Sequence, residues 1–324
     1  MNAKRSTAGI SAPAELLRNP GRGKRFGGVL RNWQLYVLLI LPLLWLLVFR
    51  YVPMYGVQIS FRRYNVLDGF WGSPWVGLEH FERFFSSYLF WRVLGNTLLI
   101  ALYTLVLGFP APIILALALH YTVNKGFKKT VQMISYAPHF ISTVVVVGML
   151  LRFLSTQGGV VNNIIRLFGA DPISFMAQSE YFKIIFVISE IWQHAGYGAI
   201  AFLAALSAID PELHEAAIVD GATKFQRIWR IDLPGLLPTM VILLIIRTGR
   251  ILNVGFEKIL LMQNPLNLSA SEVIRTYVYK VGIAGEVVNF SYAAAIGLFR
   301  GVISLLLILT VNQIAKKVGE TSLW

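Results

Sequence analysis

The sequence predicts an all-α, polytopic integral membrane protein with six transmembrane helices. Apolar residues make up 56% of the 324 residues, and charged residues make up 14%. The apolar residues collect in six runs, each near the roughly 20 residues that a helix needs to cross a bilayer. Polar and turn-forming residues lie between these runs. This composition argues against a soluble enzyme and for a chain that lies largely in the lipid bilayer.

The net charge of +13 comes from basic residues that are scattered between the apolar runs. Scattered basic residues are typical of loops beside a membrane, whereas a nucleic-acid-binding surface gathers them on one soluble face. We therefore predict no nucleic-acid partner. The chain has no cysteine, which excludes thiolate chemistry, disulfides and cysteine-ligated metal sites.

Two regions follow from this pattern: a basic, cytoplasmic N-terminal tail, residues 1–32, and a transmembrane domain, residues 33–324. Four prolines inside the first two spans predict kinked, tightly packed helices there, namely Pro42, Pro53, Pro110 and Pro112. Between those spans, residues 81–94 predict one amphipathic helix at the membrane interface. The six spans are predicted at 34–57, 96–120, 132–153, 183–206, 237–256 and 291–314.

The orientation of the chain is predicted from the distribution of lysine and arginine between the two sides of the membrane. The side that holds both termini carries 15 of them, and the opposite side carries 11. Short basic segments next to a span, such as the tail and the turn at residues 125–129, carry most weight. Both termini are therefore predicted to be cytoplasmic.

The segment between the fourth and fifth spans, residues 210–238, is polar and lies between two long apolar runs. Asp210 is a favourable N-cap and Pro211 suits a first helical turn, so a short helix is predicted from Glu212 to about Asp220. Gly221 allows the chain to turn. A second helix is predicted to follow until two prolines break it, Pro234 and Pro238.

Seven residues of this segment have a specific spacing. Glu215, Ala216 and Ala217 are followed after three residues by Gly221, and after nine more by Ile231, Leu233 and Pro234. The pattern resembles the Glu-Ala-Ala loop of permease subunits in type I ATP-driven (ABC) importers. Residues 34–324 resemble the oligosaccharide and polysaccharide branch of these permeases, which includes an importer for the acidic polysaccharide alginate, in segments such as YVPMYGVQISFRRYN and VGFEKILLMQNPL.

The resemblance implies that residues 210–238 form a coupling loop, whose first helix docks into a separate ATPase with Glu215 as a polar anchor. It implies a complex in the bacterial cytoplasmic (inner) membrane, with a second permease subunit, which we expect to be a paralogue, two ATPase subunits, an extracytoplasmic solute-binding protein and a saccharide. This chain would be a transport subunit, not an enzyme. It would need no cofactor, because ATP and Mg²⁺ would bind to the ATPases, and its sequence has no Walker-type phosphate loop.

Charged residues inside the fifth span indicate a candidate substrate pathway. Arg247, Arg250 and Asn253 share one helix face by their spacing, and charges at such depth usually face a partner or a wet cavity. The alternative is structural pairing with Glu190 or Glu257. Members of the family more often have a small residue at the Arg250 position, and this departure motivates the hypothesis of an acidic saccharide such as a uronic-acid oligomer.

The fourth span adds Glu190, Trp192, Gln193 and His194, because an aromatic ring beside hydrogen-bonding groups suits a sugar. The alternative for Trp192 is an ordinary place in the interfacial aromatic belt. His120, His139 and His194 show no metal-ligand spacing, so no metal site is predicted. Hydropathy alone leaves an ion-coupled secondary sugar transporter as the alternative function. The coupling loop distinguishes an ATP-driven importer from such a carrier, since an ion-driven carrier needs no ATPase-docking helix.

Overall fold

A computed structural model describes residues 33–250, 252 and 255–318. All regular elements of this described part are helical, and its single extended pairing is an isolated bridge between Arg62 and Trp75. The predicted all-α class is thereby confirmed. The predicted tail, Asn253 and the side chain of Arg250 lie outside what the structure describes.

The α-helices are α1 (Trp33–Leu46), α2 (Gly69–Gly72), α3 (Glu79–Phe85), α4 (Leu89–Gly108), α5 (Pro110–His120), α6 (Lys125–Tyr136), α7 (Thr143–Phe153), α8 (Val160–Leu167), α9 (Ser179–Ser207), α10 (Pro211–Val219), α11 (Lys224–Arg227), α12 (Leu233–Arg250), α13 (Phe256–Met262), α14 (Leu268–Ser271), α15 (Ile274–Tyr279) and α16 (Phe290–Val318). Between them lie 3-10 segments at Val52–Phe61 and Ala137–Phe140 and π-helical segments at Leu47–Tyr51, Ile228–Asp232 and Lys280–Ala284.

The chain forms two units, residues 1–57 and 58–324. In the first unit, the described residues form one helical segment in which α1 gives way to π-helix and then to 3-10 helix. The change falls next to Pro53, which lacks a backbone donor and cannot continue the α-helical pattern. The π segment that precedes it absorbs this interruption without ending the helix.

Within the part of the chain that the structure describes, four helices are long and apolar enough to cross a membrane, and they match the first, second, fifth and sixth predicted spans: Trp33–Phe61, Leu89–His120, Lys224–Gly249 and Phe290–Gln313. A bent pair at the third predicted span would make a fifth. The 29-residue α9 occupies the fourth, but Glu180, Lys183 and Glu190 lower its hydropathy. The count of six spans therefore stays a prediction.

The prediction of one continuous helix over residues 132–153 is wrong. The chain bends by 104° between Lys125–Phe140 and Thr143–Phe153. Pro138 removes a backbone donor at the bend. Ser142 then begins α7 as its N-cap, because its hydroxyl accepts a hydrogen bond from the Val145 backbone N–H at 3.4 Å.

The single interfacial helix predicted over residues 81–94 is also wrong. The segment contains the end of α3, a turn, and the start of α4. The Ser87 hydroxyl accepts the Leu89 backbone N–H at 3.2 Å and so starts a new helix instead of continuing the old one. Phe84 and Phe90, on either side of the turn, are buried together against Tyr292 of α16.

Helix α9 packs against α4, α5, α6 and α12 and forms the centre of the second unit. Its buried residues Phe186, Ala199, Phe202 and Leu206 join the two largest apolar clusters. Gly196 of α9 lies directly against the backbone carbonyl of Ser135 in α6. A side chain at that position would meet backbone, which cannot move aside as a flexible side chain can.

We expect Gly196→Ala to lower the stability of the protein by about 1–3 kcal/mol, the usual cost of overpacking a tight contact. The matched control is Gly95→Ala in α4, where a new Cβ would meet no described atom within 4 Å. Alanine there should be neutral or stabilising by up to about 1 kcal/mol through its helix propensity. Thermal unfolding in one detergent compares them, and equal shifts for both variants would contradict this account.

Candidate functional site

The coupling loop begins with the predicted short helix, α10. The Asp210 carboxylate accepts a hydrogen bond from the Glu212 backbone N–H at 3.0 Å, which confirms its role as N-cap. Gly221 has a φ of +76°, the left-handed conformation that turns the chain after the helix. Thr223 and Gln226 then form a capping box that starts α11.

The predicted helix break at Pro234 and Pro238 is wrong. From Lys224 the helix continues through the π segment Ile228–Asp232 directly into α12. In a π segment each backbone N–H bonds to the carbonyl five residues back, instead of four as in an α-helix. The hydrogen-bond pattern therefore changes just before Pro234, which lies in the first turn of α12. There the missing proline donor costs little. Pro238 lies inside α12. From Lys224 onward the coupling loop is thus a continuous helical extension of the fifth predicted span, and the turn at Gly221 separates this part from α10.

The outer face of the coupling loop is exposed. Glu215 and Ala216 lie on it, and Ala217 is half-buried. Large apolar side chains on the same segment are also exposed, with Val219 at 88% and Phe225 at 68%. Exposed apolar groups beside a free carboxylate are typical of an interaction surface.

The predicted coupling residues fall into two groups. The first group lines one cavity of about 280 Å³ together with Arg227 and Arg230, and it consists of Ala217, Gly221 and Ile231. Leu233 packs against the apolar cluster that contains Leu236 and Leu206, and Pro234 is exposed. The first group therefore shapes the surface of the loop, while Leu233 fixes the loop to the helices.

Asp232 connects the coupling loop to the second predicted span, and the sequence reasoning missed it as a functional residue. It is fully buried and accepts a hydrogen bond from the Tyr121 hydroxyl at 2.7 Å. His214 of α10 lies 3.3 Å from its other oxygen. Burial and this hydrogen bond raise the pKa of Tyr121, so the phenol stays a donor. A lone carboxylate in the sequence IWRIDL was the available signal.

A second candidate site is a polar cavity of about 380 Å³ beside α9. Lys258, which is 2% exposed, donates to Glu190 at 2.9 Å and to the side-chain oxygen of Gln193 at 3.1 Å. His194 lies 3.6 Å from the second Glu190 oxygen. The cavity is lined by Thr143, Glu190, Gln193, His194, Gly255, Phe256, Glu257, Lys258 and Arg275.

A histidine pair borders this cavity. His139, at the bend before α7, lies 3.1 Å from His194 between their Nδ1 atoms. The His139 ring stacks on Tyr197 with centroids 4.0 Å apart and planes within 6°. The sequence reasoning included Gln193 but missed Lys258, although a lysine inside the apolar run FEKILLM is a signal for a buried ion pair.

The other predicted pathway residues lie elsewhere. Trp192 is half-exposed and lines a separate, apolar cavity of about 410 Å³ with Val146 and Leu150. Arg247 is half-buried, with its guanidinium 5.9 Å from the centre of the Phe109 ring. It lies close enough to Glu190 for an electrostatic interaction. The structure thus brings Glu190 and His194 into one cavity and leaves Trp192 out of it.

Residues 108–320 match the family described as binding-protein-dependent transport system inner membrane component. The chain belongs to this family, whose members are permease subunits of ABC importers, transport components rather than enzymes. This assignment makes it a multi-pass inner-membrane protein with the type I ABC permease fold. It gives no support to the alternative of an ion-coupled carrier.

Individual relatives match almost end to end. The chain is 43% identical to Protein LplB of Bacillus subtilis (strain 168) over 91% of this chain and 92% of that one. It is 38% identical to the polygalacturonan/rhamnogalacturonan transport system permease protein YteP of the same organism over 98% and 99%.

Among solved structures, the chain is similar to one from a bacterial ABC transporter involved in the import of the acidic polysaccharide alginate. The two chains are 41% identical with a TM-score of 0.84, and the match covers 91% of this chain and 99% of the other. The same likeness holds for a bacterial alginate ABC transporter in complex with an alginate pentasaccharide-bound periplasmic protein, at a TM-score of 0.85.

Proposed function

We propose that this chain forms half of the membrane pathway of an importer for acidic oligosaccharides. A second permease subunit would supply the other half, two ATPase subunits would bind ATP and Mg²⁺, and an extracytoplasmic binding protein would deliver the saccharide. Both termini and the coupling loop would face the cytoplasm, as the distribution of basic residues indicates. The observation that carries the proposal is the exposed, capped helix α10 with Glu215 on its surface.

The coupling role rests on how α10 is attached. Tyr121 and His214 both contact Asp232, which is buried where the loop enters α12. A force on α10 would therefore reach Asp232 through His214, then α12, which Asp232 directly precedes, and the end of α5 through the Tyr121 hydrogen bond. Packed and hydrogen-bonded contacts of this kind carry energetic coupling between distant segments. Closure of the ATPase pair would thus move α5 and α12, which both pack against α9, the helix that carries Glu190 and His194 of the polar cavity.

The acidic substrate is supported by the relatives and by charge. Alginate and polygalacturonan are both polyanions at neutral pH, and permeases similar to this chain belong to transport systems named for them. Two cationic groups line the polar cavity, Lys258 and Arg275. Glu190 pairs with Lys258, and the Arg275 guanidinium lies 4.7 Å from the centre of the Phe256 ring at the same cavity. An arginine beside an aromatic ring can bind a carboxylate on a sugar whose CH face stacks.

The test of the proposed function is ATP hydrolysis by the assembled complex in vesicles, with loaded binding protein on the outer side. We expect oligomers of uronic acids to stimulate hydrolysis and uptake, and neutral oligosaccharides of the same length to have little effect. Uptake of the saccharide that is driven by an ion gradient in the absence of ATP would contradict the proposal. Equal stimulation of ATP hydrolysis by neutral oligosaccharides would be consistent with an ATP-driven importer but would refute an acidic substrate.

We expect Arg275→Gln to raise the KM for an acidic oligosaccharide by about tenfold or more, because a charge-assisted hydrogen bond contributes about 1.5–3 kcal/mol. The control is Arg166→Gln, the same substitution at an exposed arginine that bonds to the Thr156 carbonyl and is not among the residues that line this cavity. Uptake measured at a series of substrate concentrations distinguishes them. An unchanged KM in Arg275→Gln would remove this residue from the pathway.

A further inference from the structure

Three potential metal ligands meet at the base of the coupling loop. They are His120 at the end of α5, His214 on α10 and Asp232 just before α12, and their ligand atoms all lie within 4.8 Å of one another. We propose that these three residues bind a divalent transition-metal ion of the Zn²⁺ class. The ligands come from three separate segments, so the site exists only in the folded chain.

The hydrogen bonding of the cluster supports a cation there. Asp232 is 0% exposed, and one of its oxygens accepts the Tyr121 hydroxyl. Among the described residues, neither its second oxygen, Oδ1, nor the Nε2 of His214 has a hydrogen-bond partner, although both atoms are buried. The two atoms contact each other, but outside hydrogen-bond geometry, and a buried carboxylate oxygen without a well-placed donor is costly. One metal ion would satisfy both atoms, which lie 3.3 Å apart, as two ligands of the same ion do.

The donor set selects the class of metal. Two imidazole nitrogens and one carboxylate oxygen form a typical three-residue zinc set, with a fourth position for water. Mg²⁺ and Ca²⁺ prefer oxygen ligands alone, so they should bind weakly here. The Tyr121 hydrogen bond fixes the carboxylate orientation, as the second-shell partners of metal ligands commonly do. Two cationic side chains nearby, Lys128 and Arg227, repel a bound cation and so lower the affinity of the site for it.

A bound ion would tie α10 to α5 and α12 through its ligands. His214 directly precedes Glu215, so the ion would hold the exposed face of the coupling loop in one orientation. The sequence alone predicted no metal site, because His214 and Asp232 are far from His120 along the chain. Metal binding does not depend on the proposed transport function and can be measured on this chain by itself.

The experiment uses the full chain without a polyhistidine tag, purified in detergent and treated with a chelator. Zn²⁺ is titrated in competition with a chromophoric chelator, and Co²⁺ is titrated as a spectroscopic probe. We expect one ion per chain and visible Co²⁺ absorption bands of four-coordinate geometry. Mg²⁺ in large excess should displace neither ion.

We expect His214→Gln to lower Zn²⁺ affinity about 100-fold or more, since it removes a direct ligand, whereas second-shell changes such as Tyr121→Phe cost about 10- to 100-fold. His214 lies on a surface helix, so this variant should fold. The control is His139→Gln, which alters the histidine pair at His194 and should leave Zn²⁺ binding unchanged.

Thermal unfolding gives a second readout. Zn²⁺ should raise the Tm of the native chain and of His139→Gln, and should leave the Tm of His214→Gln unchanged, because a ligand stabilises only the state that binds it. The site would be overturned if His214→Gln bound Zn²⁺ as tightly as the native chain, or if the native chain bound no Zn²⁺. A Tm that depends on pH but not on Zn²⁺ would assign the cluster to a His214–Asp232 ion pair and refute the metal.

Discussion

Replacing Glu215 with alanine is expected to lower substrate-stimulated ATP hydrolysis of the assembled complex by about tenfold or more. The carboxylate lies on the exposed face of a capped helix. A hydrogen bond to such a charged group contributes about 1.5–3 kcal/mol, which corresponds to about 10- to 100-fold in an equilibrium or a rate. The measurement is ATP hydrolysis in vesicles with loaded binding protein, together with the amount of ATPase subunit that copurifies.

The control for this prediction is Glu212→Ala. Glu212 is also exposed and lies on α10, but in its first turn, where a carboxylate interacts with the helix dipole at about 0.3–1 kcal/mol. We expect Glu212→Ala to keep most of the stimulated hydrolysis. Loss of copurifying ATPase in Glu215→Ala would indicate docking, and loss of hydrolysis in an intact complex would indicate coupling. Full hydrolysis in Glu215→Ala would refute the coupling role.

The local structure of the coupling loop could be predicted from the sequence because the forces that set it are local. Asp210 caps the next turn and Gly221 takes a left-handed conformation, and both act within a few residues. The end of the loop was predicted wrongly, because proline was treated as an absolute helix breaker. The π segment Ile228–Asp232 changes the hydrogen-bond pairing before Pro234, and no rule based on a single residue anticipates that.

Errors in the helix pattern have a similar cause. Hydropathy merges neighbouring apolar segments, and so residues 132–153 and 81–94 were each predicted as one helix. Ser142 and Ser87 begin new helices in these segments through side-chain hydrogen bonds. A serine in an apolar run carries this information, yet it also occurs inside continuous spans, where its hydroxyl bonds back along the helix.

The candidate pathway was predicted in part. Glu190 and His194 are four residues apart on one helix and share the polar cavity, as the periodicity of a helix requires. Trp192 is two residues from each of them, so it faces away and lines another cavity. Lys258 could not be assigned to Glu190 from the sequence, because 68 residues separate them and one sequence contains no pairing information. The same limit hid the contact between Asp232 and Tyr121.

Breaking the pair between Glu190 and Lys258 is expected to destabilise the protein strongly. Lys258→Met leaves the Glu190 carboxylate, whose side chain is 13% exposed, without its ammonium partner. Removing one partner of a buried ion pair costs about 3–5 kcal/mol, because the other charge stays buried and uncompensated. Glu190→Gln should have an effect of the same size, since it leaves the 2%-exposed lysine. Thermal unfolding in detergent measures both effects. The pH is set to 8, where histidine is ordinarily neutral, so that His194 does not replace the positive charge beside Glu190.

The double variant Glu190→Gln/Lys258→Met decides what the pair does. It removes both charges of the pair, so its stability should return most of the way to that of the native chain. If both single variants are as stable as the native chain, the two groups are already hydrated in the cavity and the pair is not structural. If the double variant is stable and transports the saccharide normally, the pair only holds α9 against α13. A stable double variant that no longer transports would place Glu190 and Lys258 in the substrate pathway, because stability would then be restored while the polar cavity had lost this one charge pair.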